Sequence, residues 1–317
     1  MVSFIICSYN GERCLEKTIK SILQLNNFEK YADQLILVNN NSSDNTRKIM
    51  ENAAKQNKKV KVVDEKKPGL SNARLKGVNE TTGRWIAFID DDNYLDADWL
   101  NKAISYIEEH HNVGAFGGAI VPTFSFQLNK QQRAILNVIY KSIAITHLER
   151  KDIDYSVSKH PNKVPYGAGM VVRTDLMFAL RDVGWLAMEG RNGNKLTAGE
   201  DTEIGYFILN KGFLIGYCPE MILEHDISAD RLQVEYAVRL YEGIMDAVYL
   251  LSGRDKLWRL RRIKYLVRII KFQCKSKNFK SIEDKYRIEI EAGCIRVLKE
   301  NLKLDKFIIR NRYNGRQ

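Results

Sequence analysis

Three consecutive carboxylates, Asp90, Asp91 and Asp92, follow directly after an apolar run at residues 85–89. The run predicts a buried β-strand, so the acids would lie at its C-terminal tip, where open α/β sheets place their ligands. Because like charges repel, a fold tolerates three adjacent acids when a cation lies between them. A divalent metal that carries a phosphorylated substrate is the expected cation. The alternative is a solvated acidic turn, since short motifs also match by chance.

Three other polar connections, 8–12, 39–44 and 66–74, each follow a predicted strand. We therefore expect them at the same edge of the sheet as the acids. The second offers hydroxyl and amide groups for a base or a ribose. The third places cations, Arg74 among them, beside a helix N-terminus, a position that binds phosphate well. Each connection taken singly is also typical of an ordinary capped turn.

The elements that would position these connections alternate between short apolar runs and helical patterns, which is typical of βαβ units and a parallel sheet. From about residue 228 onward the pattern is almost wholly helical. The predicted strands are 3–7, 34–38, 60–63, 85–89, 113–121, 166–172 and 213–218. The predicted helices are 14–25, 44–56, 70–79, 97–110, 130–147, 200–210, 234–251, 257–273 and 282–303.

The composition is that of an ordinary globular protein, with 44% hydrophobic and 28% charged residues. The five cysteines include no CxxC pair, which predicts reduced thiols and argues against a disulfide framework or a structural zinc site. No apolar stretch approaches the ~20 residues that cross a bilayer, and the start of the chain lacks the features of a secretory signal. We therefore expect a cytoplasmic protein, soluble or peripheral at the inner face of the plasma membrane.

The net charge of +11 is concentrated in the last third of the chain, where residues 226–317 hold 22 Lys and Arg against 12 Asp and Glu. Within it, 254–271 has an apolar face opposite a basic one. One interpretation is peripheral contact with an anionic membrane. The other is a helix packed on the catalytic domain with a solvated basic face. Nucleic acid is not an expected partner, because aromatic residues are sparse there and no nucleic-acid motif occurs.

Taken together, the polar connections resemble those of the inverting family 2 glycosyltransferases with the GT-A fold. The resemblance covers residues 2 to about 226, and its motifs keep the family's order and spacing. It rests on the segments 4–10, 38–44, 69–74, 88–92 and 199–201.

The resemblance implies a role for each matching residue. Asp90 would contact the nucleotide ribose, Asp92 would bind Mn²⁺ or Mg²⁺ at the diphosphate, and Asp201 would be the general base. Where this chain has Asn39, the family usually has an Asp that accepts a hydrogen bond from uracil, and an amide also donates. The resemblance also implies nucleotide-sugar contacts at Ser8, Tyr9, Ser71, Arg74 and Asp91. It implies acceptor contacts at Glu200, Gly169 and Trp185. It implies a second metal ligand at His225, which lies just past the last predicted strand.

We therefore predict an α/β GT-A (nucleotide-diphospho-sugar transferase, Rossmann-like) domain over 1–226 with a mostly parallel central sheet. Its nucleotide-sugar half would be about 1–95 and its acceptor half about 96–226. A basic α-helical segment would follow over 227–317. The expected activity is metal-dependent transfer of a sugar from a nucleotide-sugar, a UDP-sugar by preference, to a hydroxyl of a glycan or lipid-linked glycan in cell-surface polysaccharide synthesis.

Two alternatives stay open at this point. One is a non-catalytic GT-A-fold binding or scaffold protein. The other is a sugar-1-phosphate nucleotidyltransferase, a class that should carry a Gly-rich phosphate loop directly after the first strand. Residues 8–12 are not such a loop.

Overall fold

The structure, a computed structural model, describes residues 1–155, 164–184, 199–252, 258–273 and 281–314. Within these ranges it describes the side chains except at 250–263, 270, 273 and 303–314. None of the described helices is both long enough and apolar enough to cross a membrane.

Within the described residues, eight strands form one sheet in the order β3-β2-β1-β4-β7-β6-β8-β5. The strands are β1 (Val2–Ser8), β2 (Ala32–Asn39), β3 (Val60–Asp64), β4 (Trp85–Asp90), β5 (Asn93–Leu95), β6 (Val113–Thr123), β7 (Met170–Arg173) and β8 (Leu214–Asp226). Four of the seven neighbouring pairs are parallel. The predicted α/β class with a mostly parallel central sheet is therefore confirmed. The parallel block β3-β2-β1-β4 aligns the C-terminal tips of its strands at one edge.

Eleven α-helices occur in the described residues. They are α1 (Leu15–Leu23), α2 (Phe28–Tyr31), α3 (Thr46–Gln56), α4 (Leu70–Asn79), α5 (Trp99–Glu109), α6 (Lys130–Ile139), α7 (Thr174–Asp182), α8 (Glu200–Asn210), α9 (Val234–Ser252), α10 (Trp258–Gln273) and α11 (Ile282–Asn314). In β1 every side chain except that of Cys7 is buried. Burial on both faces explains why β1 reads as a continuous apolar run rather than an alternating one.

The chain divides into two compact units. The α/β unit comprises 1–125 and the described residues of 143–184 and 200–227. The helical unit comprises 126–142, Gly199 and the described residues from 228 onward. The predicted division into a catalytic domain ending at 226 and a C-terminal segment stays a prediction.

Most predicted elements are confirmed to within two residues, but four boundaries were wrong. The helix predicted over 282–303 continues to Asn314. The helix predicted over 130–147 ends at Ile139 and continues only as a short 3-10 turn, because Ala144 has a left-handed φ of 59° that no helix accommodates. The strand predicted over 166–172 begins only at Met170, after a turn containing Gly169 at φ 80°. The last strand does not end at 218 but continues to Asp226, because it pairs with both β6 and β5.

Candidate active site

Ser8 and Asp91 bring the tips of β1 and β4 together. Ser8 Oγ donates a hydrogen bond to the Asp91 carboxylate, and Thr18 Oγ1 donates to the Asp91 carbonyl oxygen at 2.7 Å. Gly11 lies against this pair, so that a Cβ there would come within 2.2 Å of Ser8 Oγ and 2.3 Å of Asp91 Oδ2. A side chain at that position would displace the Ser8–Asp91 hydrogen bond. Tyr9 is 57% exposed beside the pair, where its ring is accessible to a ligand.

The loop after β1 is also fastened to the loop after β2. Asn10, at a left-handed φ of 54°, accepts a hydrogen bond from Ser43 N at 2.8 Å. Gly11 N donates to Thr46 Oγ1 at 2.8 Å, and Asn40 N donates to the Ser8 carbonyl oxygen at 2.9 Å. Since both loops are fixed by hydrogen bonds, the strand tips form a rigid surface.

Asn39 is buried at the tip of β2 and engages both ends of its amide. Its Nδ2 donates to Asp64 Oδ1 at 2.8 Å, and its Oδ1 accepts from Ser42 N at 3.2 Å. Asp64 stands directly across from Asn39 in the β2–β3 register and also pairs with Arg47. Burial would raise the pKa of Asp64, but the hydrogen bonds from Asn39 and Arg47 hold it below the ordinary value. Asp64 was not among the predicted site residues, and the parallel register is what brings it to the site.

Asn40 holds the loop before α4. Its Nδ2 donates to the carbonyl oxygens of Glu65 at 2.9 Å and Lys67 at 2.8 Å, and its Oδ1 accepts from Gly69 N at 2.9 Å. Gly69 then turns the chain into α4 with φ 120°. The first turn of α4 buries Ser71, so this predicted residue lies at the same edge of the sheet.

Arg74 joins the two acidic groups of the site. It is 3% exposed, and its guanidinium lies 2.8 Å from Asp201 Oδ1, 3.7 Å from Glu200 Oε1 and 3.7 Å from Asp90 Oδ1. Burial alone would lower the pKa of Arg74, but the carboxylates of Asp201, Glu200 and Asp90 outweigh it and raise the pKa above its ordinary value. The stacking of Arg74 over the Phe88 ring, 5.3 Å from the centroid, fixes the plane of the guanidinium.

Asp201 and Glu200 begin α8. Gly167 N donates to Asp201 Oδ2 at 2.7 Å, and a Cβ on Gly167 would come within 2.2 Å of Arg74 Nη2. Gly167 is therefore a site residue that the prediction missed, although Gly169, two residues on, was among the expected acceptor contacts. Gly169 donates instead to the Phe88 carbonyl oxygen at 2.8 Å. Trp185, predicted at the acceptor site, lies outside the described residues.

Asp92 and His225 meet through the pairing of β5 with β8. Asn93 stands opposite His225 in that register, and Asp226 N donates to the Asp92 carbonyl oxygen at 2.9 Å. His225 Nε2 thereby lies 3.3 Å from Asp92 Oδ2, with both side chains buried. Asn93 Nδ2 donates to Asp92 Oδ1 at 3.1 Å and orients the carboxylate.

Asp226, next to His225, anchors this corner of the site. Its Oδ2 accepts from Tyr94 OH at 2.9 Å, from Cys14 Sγ at 3.3 Å and from Arg13 Nη1 at 3.1 Å. Burial raises the pKa of Cys14 to about 11, so the thiol keeps its proton and donates. These contacts fix the end of β8 and with it the imidazole of His225.

The residues present fit a divalent metal that takes part of its coordination from the substrate. Among the described residues there is no group of three or more His, Cys, Asp or Glu side chains that could hold an ion by itself. A buried carboxylate beside a buried imidazole is nevertheless a donor set suited to Mn²⁺. Mg²⁺ likewise binds through one or two carboxylates together with substrate phosphates and water.

Comparison with known proteins identifies the family. The family model described as Glycosyl transferase family 2 matches residues 3–169, which is more than half of the chain. The chain's matches to the first curated relatives span only 26% to 36% of their own length. One of these, the poly(ribitol-phosphate) β-N-acetylglucosaminyltransferase TarS of Staphylococcus aureus, is 26% identical over 44% of this chain and 26% of its own.

A second relative covers more of the chain. The glucosyl-dolichyl phosphate glucuronosyltransferase of Haloferax volcanii is 27% identical over 80% of both chains. Among solved structures, the mannosyltransferase PcManGT of Pyrobaculum calidifontis with GDP-Man and Mn²⁺ has a TM-score of 0.55 at 14% identity, over 96% of this chain and 74% of that one. TarS residues 1–349 with UDP-GlcNAc has a TM-score of 0.50 at 15% identity, over 95% and 91%.

At these identities the two solved structures show the fold alone, and together with the family match they confirm the predicted GT-A fold. The family model also covers the strand tips that carry Ser8, Asn39 and Asp90–Asp92, and the helix α4 that carries Arg74. This chain belongs to glycosyl transferase family 2.

Proposed function

We propose that the protein is a metal-dependent inverting glycosyltransferase that moves a sugar from a nucleotide-sugar to a hydroxyl group of a glycan or lipid-linked glycan. The observation that carries the proposal is the position of Arg74. Its guanidinium contacts Asp90, at the strand tips proposed to hold the nucleotide, and Asp201 with Glu200, proposed to face the acceptor. Donor and acceptor would therefore meet across one buried cation.

The donor would lie over the tips of β1, β2 and β4. Tyr9, with its exposed ring, would pack against the nucleoside, and Asp90 would accept hydrogen bonds from the ribose. Asp91 would be held by Ser8 beneath the donor, and Ser71 at the start of α4 would lie near the diphosphate. A UDP-sugar is the first choice, supported by the likeness to TarS solved with UDP-GlcNAc. A GDP-sugar is the second, because PcManGT was solved with GDP-Man.

Asp92 and His225 would hold Mn²⁺ or Mg²⁺. When bound, the ion would supply positive charge to the diphosphate and so stabilise the departing nucleotide. The orientation of both ligands comes from the chain itself, through Asn93 on Asp92 and the Asp226 anchor beside His225.

Asp201 would act as the general base. Both of its oxygens already accept one hydrogen bond, from Arg74 and from Gly167 N. Each carboxylate oxygen has a second lone pair, so Asp201 can also accept the proton of an attacking hydroxyl. The hydroxyl would attack the anomeric carbon from the face opposite the nucleotide, which inverts the configuration. Glu200, buried beside Asp201, would position the acceptor.

The acceptor is proposed to be a growing cell-surface polysaccharide or its lipid-linked precursor. TarS acts on a poly(ribitol-phosphate) by its name, and the Haloferax relative acts on glucosyl-dolichyl phosphate by its name. A lipid-linked acceptor would place the enzyme at the inner face of the plasma membrane.

The test is a calorimetric screen of UDP-, GDP- and dTDP-sugars with Mn²⁺, repeated with EDTA and with Asp92→Ala. We expect one donor to bind and its affinity to fall in both repeats. Transfer is then assayed with Asp201→Asn, which should keep donor affinity and lose turnover by about 100-fold or more. Asp182→Asn, an exposed acid at the end of α7, is the matched control. Absence of donor binding would overturn the proposal in favour of a non-catalytic scaffold protein. Full turnover in Asp201→Asn would overturn the assignment of Asp201 as the general base.

A further inference from the structure

The helical unit contains a pocket of about 530 Å³ formed by α6, α9, α10 and α11. Its size is within the range of pockets that bind small ligands. Its wall is both apolar and basic. The basic side chains are Lys264, Arg268, Lys271 and Arg287. The apolar and aromatic side chains are Val138, Tyr241, Val267, Phe272 and Ile290.

The four basic side chains are not equivalent. Arg268 forms a bidentate pair with Glu291, at 2.7 Å through Nε and 2.5 Å through Nη2, and this pairing raises the pKa of Arg268. Lys264, Lys271 and Arg287 are exposed and form no ion pair with any residue that the structure describes. Among the residues that the structure describes, the pocket therefore has three basic side chains without an ion-pair partner around one neutralised pair.

Helix α10 explains how the apolar part of the wall reaches the surface. Ile269 is buried in the apolar cluster of the helical unit, and Tyr265 and Phe272 pack against that cluster. On the exposed side, Leu266 is 48% exposed and Val267 is 42% exposed. Lys264 and Lys271, one on either side of these residues along the helix, are exposed as well. Bulky apolar side chains in water between lysines are the pattern of a helix that lies on a lipid surface.

We propose that this pocket binds the phosphate-bearing headgroup of an anionic lipid, with Leu266 and Val267 entering the interface beside it. Lys264, Lys271 and Arg287 supply the charge complementary to the phosphate. The apolar wall of Val138 and Phe272 suits the adjoining glycerol and acyl carbons, which a free anion lacks. The site belongs to the helical unit alone and does not depend on the transferase activity proposed for the α/β unit.

The experiment is co-sedimentation of the full chain with vesicles of phosphatidylcholine, with and without phosphatidylglycerol. We expect sedimentation only with the anionic vesicles. Each basic residue near the surface accounts for about a fivefold change in affinity. The triple variant Lys264→Gln, Lys271→Gln, Arg287→Gln should therefore bind about 100-fold more weakly. If the triple variant fails to fold by circular dichroism, Lys271→Gln and Arg287→Gln alone should each weaken binding about fivefold.

The matched control removes the same charge from exposed lysines of the α/β unit, as Lys20→Gln, Lys55→Gln, Lys58→Gln. It should bind vesicles like the parent. An equal loss in the control would mean that net charge alone drives binding and would overturn the pocket. Release of the protein from vesicles by millimolar inorganic phosphate or glycerol phosphate would overturn the lipid site and leave a site for small anions. Tighter binding to RNA than to vesicles would also overturn it, and would indicate that the basic surface binds nucleic acid.

Discussion

Replacing Arg74 by Met is expected to destabilise the α/β unit by about 3 kcal/mol at about pH 7. Arg74 is 3% exposed and is the shared cation of Asp90, Glu200 and Asp201. Removing one partner of a buried ion pair costs about 3–5 kcal/mol, because the remaining charge is left unpaired in a poorly hydrated site. We place the value at the lower end because the side chains of Asp90 and Asp201 are 35% and 29% exposed, and water screens them. The side chain of Glu200 is only 7% exposed, so water screens its charge little.

The assay is urea denaturation at about pH 7 and about pH 5, followed by circular dichroism, with Arg173→Met as the control. Arg173 pairs with Asp175, whose side chain is 61% exposed, so its loss should cost less than about 1 kcal/mol. In Arg74→Met the carboxylates have lost their neutralising cation, so they bind protons more readily in the folded chain than in the unfolded chain. The variant should therefore regain stability as the pH falls. A loss of stability no larger than that of the control, or one that does not become smaller at the lower pH, would refute the role of Arg74 as the shared cation of the three carboxylates.

Three further predictions concern the strand tips. Gly11→Ala should weaken donor binding in calorimetry, because its Cβ would overlap Ser8 Oγ and break the Ser8–Asp91 hydrogen bond; unchanged affinity would contradict the steric argument. Asn39→Asp should destabilise the protein above about pH 5 and not below, since the new carboxylate would face Asp64 and one of the two must hold a proton in the folded state. Thermal unfolding against pH measures this, and a pH-independent change would contradict it. The Cys7 side chain is half-buried, and desolvation of its thiol raises the pKa to about 12. Cys7 should therefore resist iodoacetamide at about pH 8 until the protein unfolds, and rapid labelling of Cys7 in the native protein would contradict this.

The parallel half of the sheet was predictable because its signals are local. Each of the strands β1 to β4 is a short apolar run that ends in polar residues, and α4 matches its predicted bounds over Leu70–Asn79. Buried parallel strands produce such runs whatever their partners are. β5 was missed because its three residues follow the acidic run without a break and are recognisable as a strand only by their pairing with β8.

By itself the sequence determined which residues stand at strand tips, since alternation of apolar runs and polar connections is a property of the chain alone. It thereby located Ser8, Asn39 and the acidic run of Asp90–Asp92 at strand tips, and Arg74 in the helix after the third connection. Contacts between residues far apart in the chain were decided only by the tertiary structure, because they depend on strand register and helix packing. The β5–β8 register brings His225 to Asp92, the β2–β3 register brings Asp64 to Asn39, and the packing of α4 near the start of α8 leaves Arg74 between two acidic groups.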